Sequence, residues 1–306
     1  AAPDPAHDLV RLIAQVGLPF GDSSLLPTYW VSAAAREHAA VALAGDGGDE
    51  LFGGYERYRA SFLAKRWGRA LALLPLPDAP PGHPKSSIAK LARISSASRW
   101  QGYRDLHSIF PAPLLGALIG KQFQRIDDQW PDDPLRIDFG HPAFGYLPAD
   151  LLRKTDTAAM AVALEVRAPM LARGVIDACL GATHLSLMPR GQRKGLLRAV
   201  ARKYFPPEIV DRPKQGFAIP IGEWFRSDYG GMRQLLLDHL NGPEPFGPDR
   251  LGINGTINMG FVRQMLREHD DAGAKSLWPW KGRDHSQRLY MLLVLSIWGK
   301  WLGGLG

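Results

Sequence analysis

The feature that most constrains this chain is a short apolar run, residues 40–44 (AVALA), which stops at glycine and continues as GDGGDELFGGYERY. An apolar run without polar alternation, closed by glycines, predicts a buried parallel strand that feeds a loop and then a helix. Gly45, Gly47 and Gly48 admit backbone turns and a ligand approach that a Cβ would obstruct. Asp46, Asp49 and Glu50 stand among them. A phosphate-gripping loop would carry Lys or Arg beside its glycines, because loop amides and a helix amino terminus attract anions. This loop is acidic instead. Three carboxylates at a helix start suit a hard cation such as Mg²⁺, or the orientation of an amine or water at a reacting centre. The structural alternative makes Asp46 a turn residue and Asp49 a helix cap. Gly53 and Gly54 weigh toward function, since glycine inside a would-be helix is unfavourable by about 1 kcal/mol per residue.

Elsewhere the pattern is mostly helical. Helical periodicity covers residues 8–16, a segment opened by Pro27, and residues 87–95, 112–120, 148–163, 173–180, 192–204 and 284–302, with the loop-like PLPDAPPGHPKSS of residues 75–87 as an internal connection. The helix from 148 is expected to stop near residues 166–169, ahead of Pro169, because the residue before a proline avoids the α region. Arg153, Lys154 and Asp156, with Glu165 and Arg167, flank this apolar helix and read either as an internal ion-pair network or as a site. Residues 191–220 carry Arg193, Lys194, Arg198, Arg202, Lys203, Arg212 and Lys214, with Pro206 and Pro207 ending a helix on which Lys194 and Arg198 share a face. The default reading of such a run is a solvated basic face.

Composition narrows the class. The 306 residues, 45% hydrophobic and 22% charged, can bury a sizeable core, and the formal charge of +7 favours anionic partners: nucleic acid, a nucleotide or an acidic substrate. The lone cysteine, Cys179, lies in an apolar helical stretch and reads as a small buried hydrophobe, without a disulfide and in keeping with a reducing cytosol. The amino terminus lacks the pattern of a signal peptide, and the most apolar segment, residues 289–295, is too short for a bilayer.

The segment AGDGGDELFGGYERY is similar to the SGDGGDELFGGYxRY signature of the asparagine synthetase family, with Ala44 in place of Ser. Residues 147–171 resemble a second family pattern, YLPxDLLxKxDxxSMAxSLEVRxPFLD, with Met170 for Phe and Ala172 for Asp. Residues 191–220 together with Trp224 resemble a third, and DHSQRLYMLLVLSIWGKWL resembles the closing helix. The resemblance covers nearly the whole chain in the right order.

It implies an α/β, mostly helical fold, part of an adenine-nucleotide α-hydrolase-like (ATP pyrophosphatase) domain with a short parallel sheet, spanning residues 1–306. It also implies a ligase that activates a carboxylate, aspartate in the leading case, with ATP and Mg²⁺ as an acyl-adenylate. Ammonia from glutamine then displaces AMP. By position, Asp46 and Asp49 resemble the acidic pair that contacts substrate or accepts protons, while Tyr55 with Gly45, Gly47 and Gly48 lines the site. Lys214 and Lys194 resemble the cations for pyrophosphate or the transition state, and Glu165 is either catalytic or half of a structural salt bridge with Arg167. Asp22 and Ser24, in PFGDSSLLPTY, match the family's substrate-side EPFxDxSxxPTY. The tetrapeptide GDSS of residues 21–24 imitates the tail of the family's SGGxDSS pyrophosphate loop, but no strand pattern precedes it.

The expectation is therefore the carboxyl-terminal part of a cytoplasmic enzyme, homodimeric at full length, with small-molecule substrates and neither nucleic acid nor membrane as partner. Alone, this part is expected to lack synthetase and glutaminase activity. The alternatives are a relative that amidates or cyclises another carboxylate, and a non-catalytic remnant that binds nucleotide or a partner protein.

Overall fold

The computed structural model describes residues 3–59, 108–120, 138–139, 145–213, 218–273 and 284–304. The helical patterns at 87–95 and the connection at 75–87 lie outside them. Two short strands, β1 (Val41–Leu43) and β2 (Glu165–Arg167), pair in parallel with Val41 opposite Glu165 and Leu43 opposite Arg167. The pairing continues past the strand ends: Glu165 donates its amide to the Ala40 carbonyl at 3.0 Å, and Ala44 donates to the Arg167 carbonyl at 2.8 Å.

Around this pair the described chain is helical. Helices α1 (Pro5–Val16) and α2 (Leu25–Arg36) precede β1, and α3 (Gly48–Phe52) follows it. Then come α4 (Ala112–Ile119), a π-helical turn (Leu147–Leu151) running into α5 (Leu152–Met160), and, after β2, α6 (Arg173–Gly181) and α7 (His184–Leu187). The carboxyl-terminal part holds α8 (Gly195–Ala201), α9 (Pro207–Val210), α10 (Ile221–Ser227), α11 (Met232–Leu240), α12 (Met259–Gly273) and α13 (Ser286–Gly303). Among the described residues no helix is long and apolar enough to cross a membrane.

The main core forms on α13. Its residues Leu289, Tyr290, Leu292, Leu293, Val294 and Ile297 are all buried, as expected of a helix apolar on most of its circumference. Leu9, Leu12 and Ile13 of α1, Phe225 of α10, Met232, Leu236 and Leu240 of α11, and Val262 and Met265 of α12 close around it. One approach is backbone on backbone: a Cβ on Gly299 would stand 2.3 Å from the Phe246 carbonyl oxygen, so only glycine fits there. A second, smaller core lies under the acidic loop, built from Leu51, Phe52, Tyr58, Cys179, Leu187 and Met188. Cys179 is buried and unbonded, and burial pushes its thiol pKa up, in line with a structural role.

Several sequence expectations are corrected. Strand β1 is parallel but not buried, for Val41 is 41% and Leu43 75% exposed. Among the described residues the sheet has only two strands, and nothing described covers that face. The helix expected to run to residues 166–169 ends at Met160, the chain turns through Ala163 at φ 56°, and residues 165–167 become strand. Pairing with β1 overrides local helical preference there. Pro206 and Pro207 do not end a helix: α8 has already stopped at Ala201, and Pro207 occupies the first turn of α9, where its missing N–H is harmless. Lys194 lies outside the helical face assigned to it, being the residue before α8 with left-handed φ 53°.

Candidate functional site

The acidic loop leaves β1 at its carboxyl end and turns at Gly47, whose φ of 87° suits glycine and whose Cβ, if present, would stand 2.3 Å from Leu171 Cδ2. Gly47 is also the cap of α3, so Asp49 is not the helix cap that one reading of the sequence made it. Instead Asp49 points to Lys194, with Nζ 3.1 Å from Oδ1. Gly54 makes this approach sterically feasible, because a Cβ there would lie 1.8 Å from Asp49 Oδ1 and 2.6 Å from Lys194 Cε. The unfavourable glycine within the signature is thus the floor of an ion pair.

Next to this pair, Glu50 is buried and accepts a hydrogen bond from the Tyr55 hydroxyl. Burial first raises the pKa of Glu50, against the Tyr55 hydrogen bond that lowers it, and burial with the Glu50 charge raises that of Tyr55. Arg57 stacks its guanidinium 3.7 Å from the Tyr55 ring centre and 4.5 Å from that of Tyr146. Its charge is matched by Asp138 at 2.9 Å, which also accepts from the Tyr58 hydroxyl at 2.7 Å. A guanidinium held between aromatic faces and a buried carboxylate is a rigid wall for the site.

Behind Tyr146 lies a second polar group. Lys154 of α5 is buried and donates to Asp22 Oδ2 at 2.6 Å and to Ser24 Oγ at 2.7 Å, joining segments far apart in the chain. Burial opposes ionisation of Asp22, but the Lys154 ammonium and the Ser24 hydrogen bonds outweigh it and hold this carboxyl below its usual range. Asp150, in the π-helical turn, goes the other way: burial, then the Asp22 charge, raises it to about 7. Tyr290, fully buried on α13, has a hydroxyl without a hydrogen-bond partner among the described residues, and burial and the Asp22 charge raise its pKa.

Of the residues singled out in the sequence, the structure brings together Asp49, Lys194 and Tyr55 on the loop of Gly45, Gly47 and Gly48. Asp46 sits half-buried in the same loop. Asp22 and Ser24 meet each other and Lys154. Lys214 lies outside the described residues. Glu165 stands at the amino end of the strand pair, away from the loop, exposed and paired with Arg167 at 2.7 Å. The single ion-pair network expected around Arg153, Lys154, Asp156, Glu165 and Arg167 is divided, because Lys154 turns inward to Asp22 while the Glu165–Arg167 pair faces solvent. Sequence reasoning counted Glu50 among the loop carboxylates without its partner Tyr55, and it missed Arg57, Tyr146 and Asp150. The one available signal was Asp150 and Lys154 at i,i+4, which places them on one helical face.

The sequence pattern of the asparagine synthase family matches residues 1–300. The chain is 27% identical over 314 aligned positions to an asparagine synthetase homologue of Mycobacterium bovis, covering 95% of this chain and 44% of that protein. Against the glutamine-hydrolysing asparagine synthetase 1 of Bacillus subtilis it is 24% identical, covering 95% of this chain and 45% of the relative. A stretch of 51 residues is 55% identical to part of a homologue from Methanocaldococcus jannaschii, covering 15% of this chain and 10% of that protein. The chain thus spans less than half the length of these relatives.

Proposed function

The chain belongs to the asparagine synthase family, and from that premise we propose that it carries part of a ligase site that amidates a carboxylate, aspartate to asparagine, through an acyl-adenylate formed from ATP. Ammonia from glutamine is the nucleophile. The observation that supports this reading is the meeting of Asp49, Lys194 and the Glu50–Tyr55 pair beyond the carboxyl end of β1, where open parallel α/β sheets bind their ligands. The same placement supports an adenine-nucleotide α-hydrolase-like architecture, with residues 1–306 belonging to one synthetase-type domain. A cytoplasmic, homodimeric biosynthetic enzyme acting on small molecules is the setting this reading implies.

Asp46 and Asp49 would hold Mg²⁺. Their donor set fits that ion, which takes one or two protein carboxylates and completes its shell with water and nucleotide phosphate oxygens. Among the described residues no group of three or more His, Cys, Asp or Glu is placed to hold a metal unaided. When bound, Mg²⁺ neutralises polyphosphate charge.

The chain's own groups supply the rest. Lys194, tethered by Asp49, is a cation positioned for negative charge building on phosphoryl or tetrahedral oxygens. Lys214 is assigned the same role by its motif. Tyr55, fixed by Glu50 below and Arg57 above, lines the site, and the bare backbone of Gly45 and Gly48 admits a ligand close to the loop. Asp22 and Ser24 are assigned to the substrate side. Glu165 is assigned to its salt bridge with Arg167.

The test is aspartate-dependent ATP–pyrophosphate exchange in the intact polypeptide with Mg²⁺. Asp49→Asn and Lys194→Ala are each expected to lower exchange about 10²-fold, the scale of losing one positioned charge in a water-poor site. Exchange supported by another carboxylate but not by aspartate would reject the substrate assignment, and undiminished exchange in both variants would reject the residue assignment.

A further inference from the structure

Asp150 has no part in the reading above, yet its surroundings define a chemical state. Its Oδ1 is buried without a hydrogen-bond partner among the described residues. The ammonium nearest the carboxyls, Lys154, spends its short bonds on Asp22 Oδ2 at 2.6 Å and Ser24 Oγ at 2.7 Å. Asp22 Oδ1 in turn receives the Ser24 amide at 2.9 Å and hydroxyl at 2.8 Å. Arg57, the next cation, is matched by Asp138 at 2.9 Å. Among the described residues the two carboxyls therefore share Lys154 as their close cation, with Arg57 acting more weakly, so a second buried negative charge is only partly compensated. Proteins resolve that situation by neutralising one group. Asp22, served by Lys154 and Ser24, is the ionised member.

We propose that Asp150 is a positioning residue that holds a proton shared with Asp22, and that this singly protonated carboxyl pair seats Tyr146, and through it Arg57 and Tyr55, against the acidic loop. Tyr146 lies one helical turn before Asp150, and Arg57 stacks on Tyr146 and Tyr55 together. The charged and titratable groups around Asp150 are Asp22 before α2, Lys154 on α5, Arg57 after the acidic loop and Tyr146 on its own turn, with Glu50 acting on Tyr146 and Tyr290 of α13 beside Asp22. Burial and the Asp22 charge bring Asp150 to about 7, so the proton leaves as pH rises through neutrality and like-charge repulsion then loosens the seat. The positioning role rests on the proposed amidation, whereas the proton does not.

Infrared difference spectra of the intact polypeptide, taken from roughly one and a half pH units below neutrality to the same interval above, separate the two parts, since the protonated fraction falls steeply across that window. A carboxylic-acid carbonyl band that disappears with rising pH, and is absent from Asp150→Asn, is the expected result. A band that does not titrate in this window, or that persists in Asp150→Asn, overturns the shared proton whether or not amidation is detected. For positioning, Asp150→Ala is expected to lower kcat/KM about tenfold, the equivalent of roughly 1.4 kcal/mol. Asp150→Asn, which keeps a neutral hydrogen-bonding group in place, restores most of that loss and flattens the neutral-range inflection of the pH profile. Equal impairment of both variants with the inflection unchanged overturns the positioning role.

Discussion

The core around α13 and the lobe around the acidic loop are built on different principles. In the first, apolar side chains from eight helices fill one another's gaps. In the second, six buried hydrophobic residues support a layer of carboxylates, cations and tyrosines whose positions are set by pairing. Apolar packing is non-directional and redundant, whereas a buried charge requires a specific partner at a specific distance. The contrast assigns stability to the helical core and chemistry to the lobe, and it can be broken by experiment.

The largest expected effect is in the core. Phe225→Ala removes a side chain with no exposed surface and is expected to destabilise by about 3–5 kcal/mol in urea unfolding, with the protein that remains folded still binding ligand normally. In the lobe, Gly54→Ala drives a methyl into the Asp49–Lys194 pair. It is expected to lower stability by only about 1–3 kcal/mol while abolishing nucleotide-dependent exchange. Loss of exchange in the first variant and retention in the second would reverse the assignment.

Opposite pH responses sharpen the comparison. His239 of the helical region, bonded through Nδ1 to Ser296 Oγ at 2.8 Å, is lowered to about 4 by burial and then by Lys300. Its folded pKa lies below its unfolded value near 6.5, so its contribution is intact above pH 6.5 and is lost as pH falls toward 4. His239→Gln should flatten this acid limb by on the order of 1 kcal/mol, allowing for solvent screening of a half-buried ring. Asp150 has a folded value near 7 against 3.8 unfolded. The folded state holds the extra proton between those values, so stability is full below 3.8 and falls as pH rises through 7. Asp150→Asn should remove that decline, by on the order of 1–3 kcal/mol, measured as chemical denaturation against pH. A matched response of the two sites would remove the distinction between them.

The smallest effect is at Ala172. It caps α6 without a side-chain hydrogen bond at the position where the family pattern has Asp, so Ala172→Asp is expected to stabilise by about 0.5–1 kcal/mol without altering ligand affinity.

Much of this was legible in the sequence where local rules apply. The glycines of the acidic loop, the helical periodicity of residues 284–302, which forms the helix Ser286–Gly303, and the buried Cys179 each report a local or amphipathic preference that the structure keeps. Residues 165–167 were misread as helix because their partner strand lies far away in the chain. Asp150 was passed over because nothing nearby in the chain announces that Asp22 will come to face it. The sequence by itself determined the strand–loop–helix with its acidic character and the apolar helices that must bury, since these depend on spacing and side-chain type. Only the tertiary structure decided which charges meet: Lys194 with Asp49 over Gly54, Lys154 with Asp22, and Asp150 with Asp22. Partner choice among buried charges depends on distances between segments remote in sequence, which no local pattern encodes.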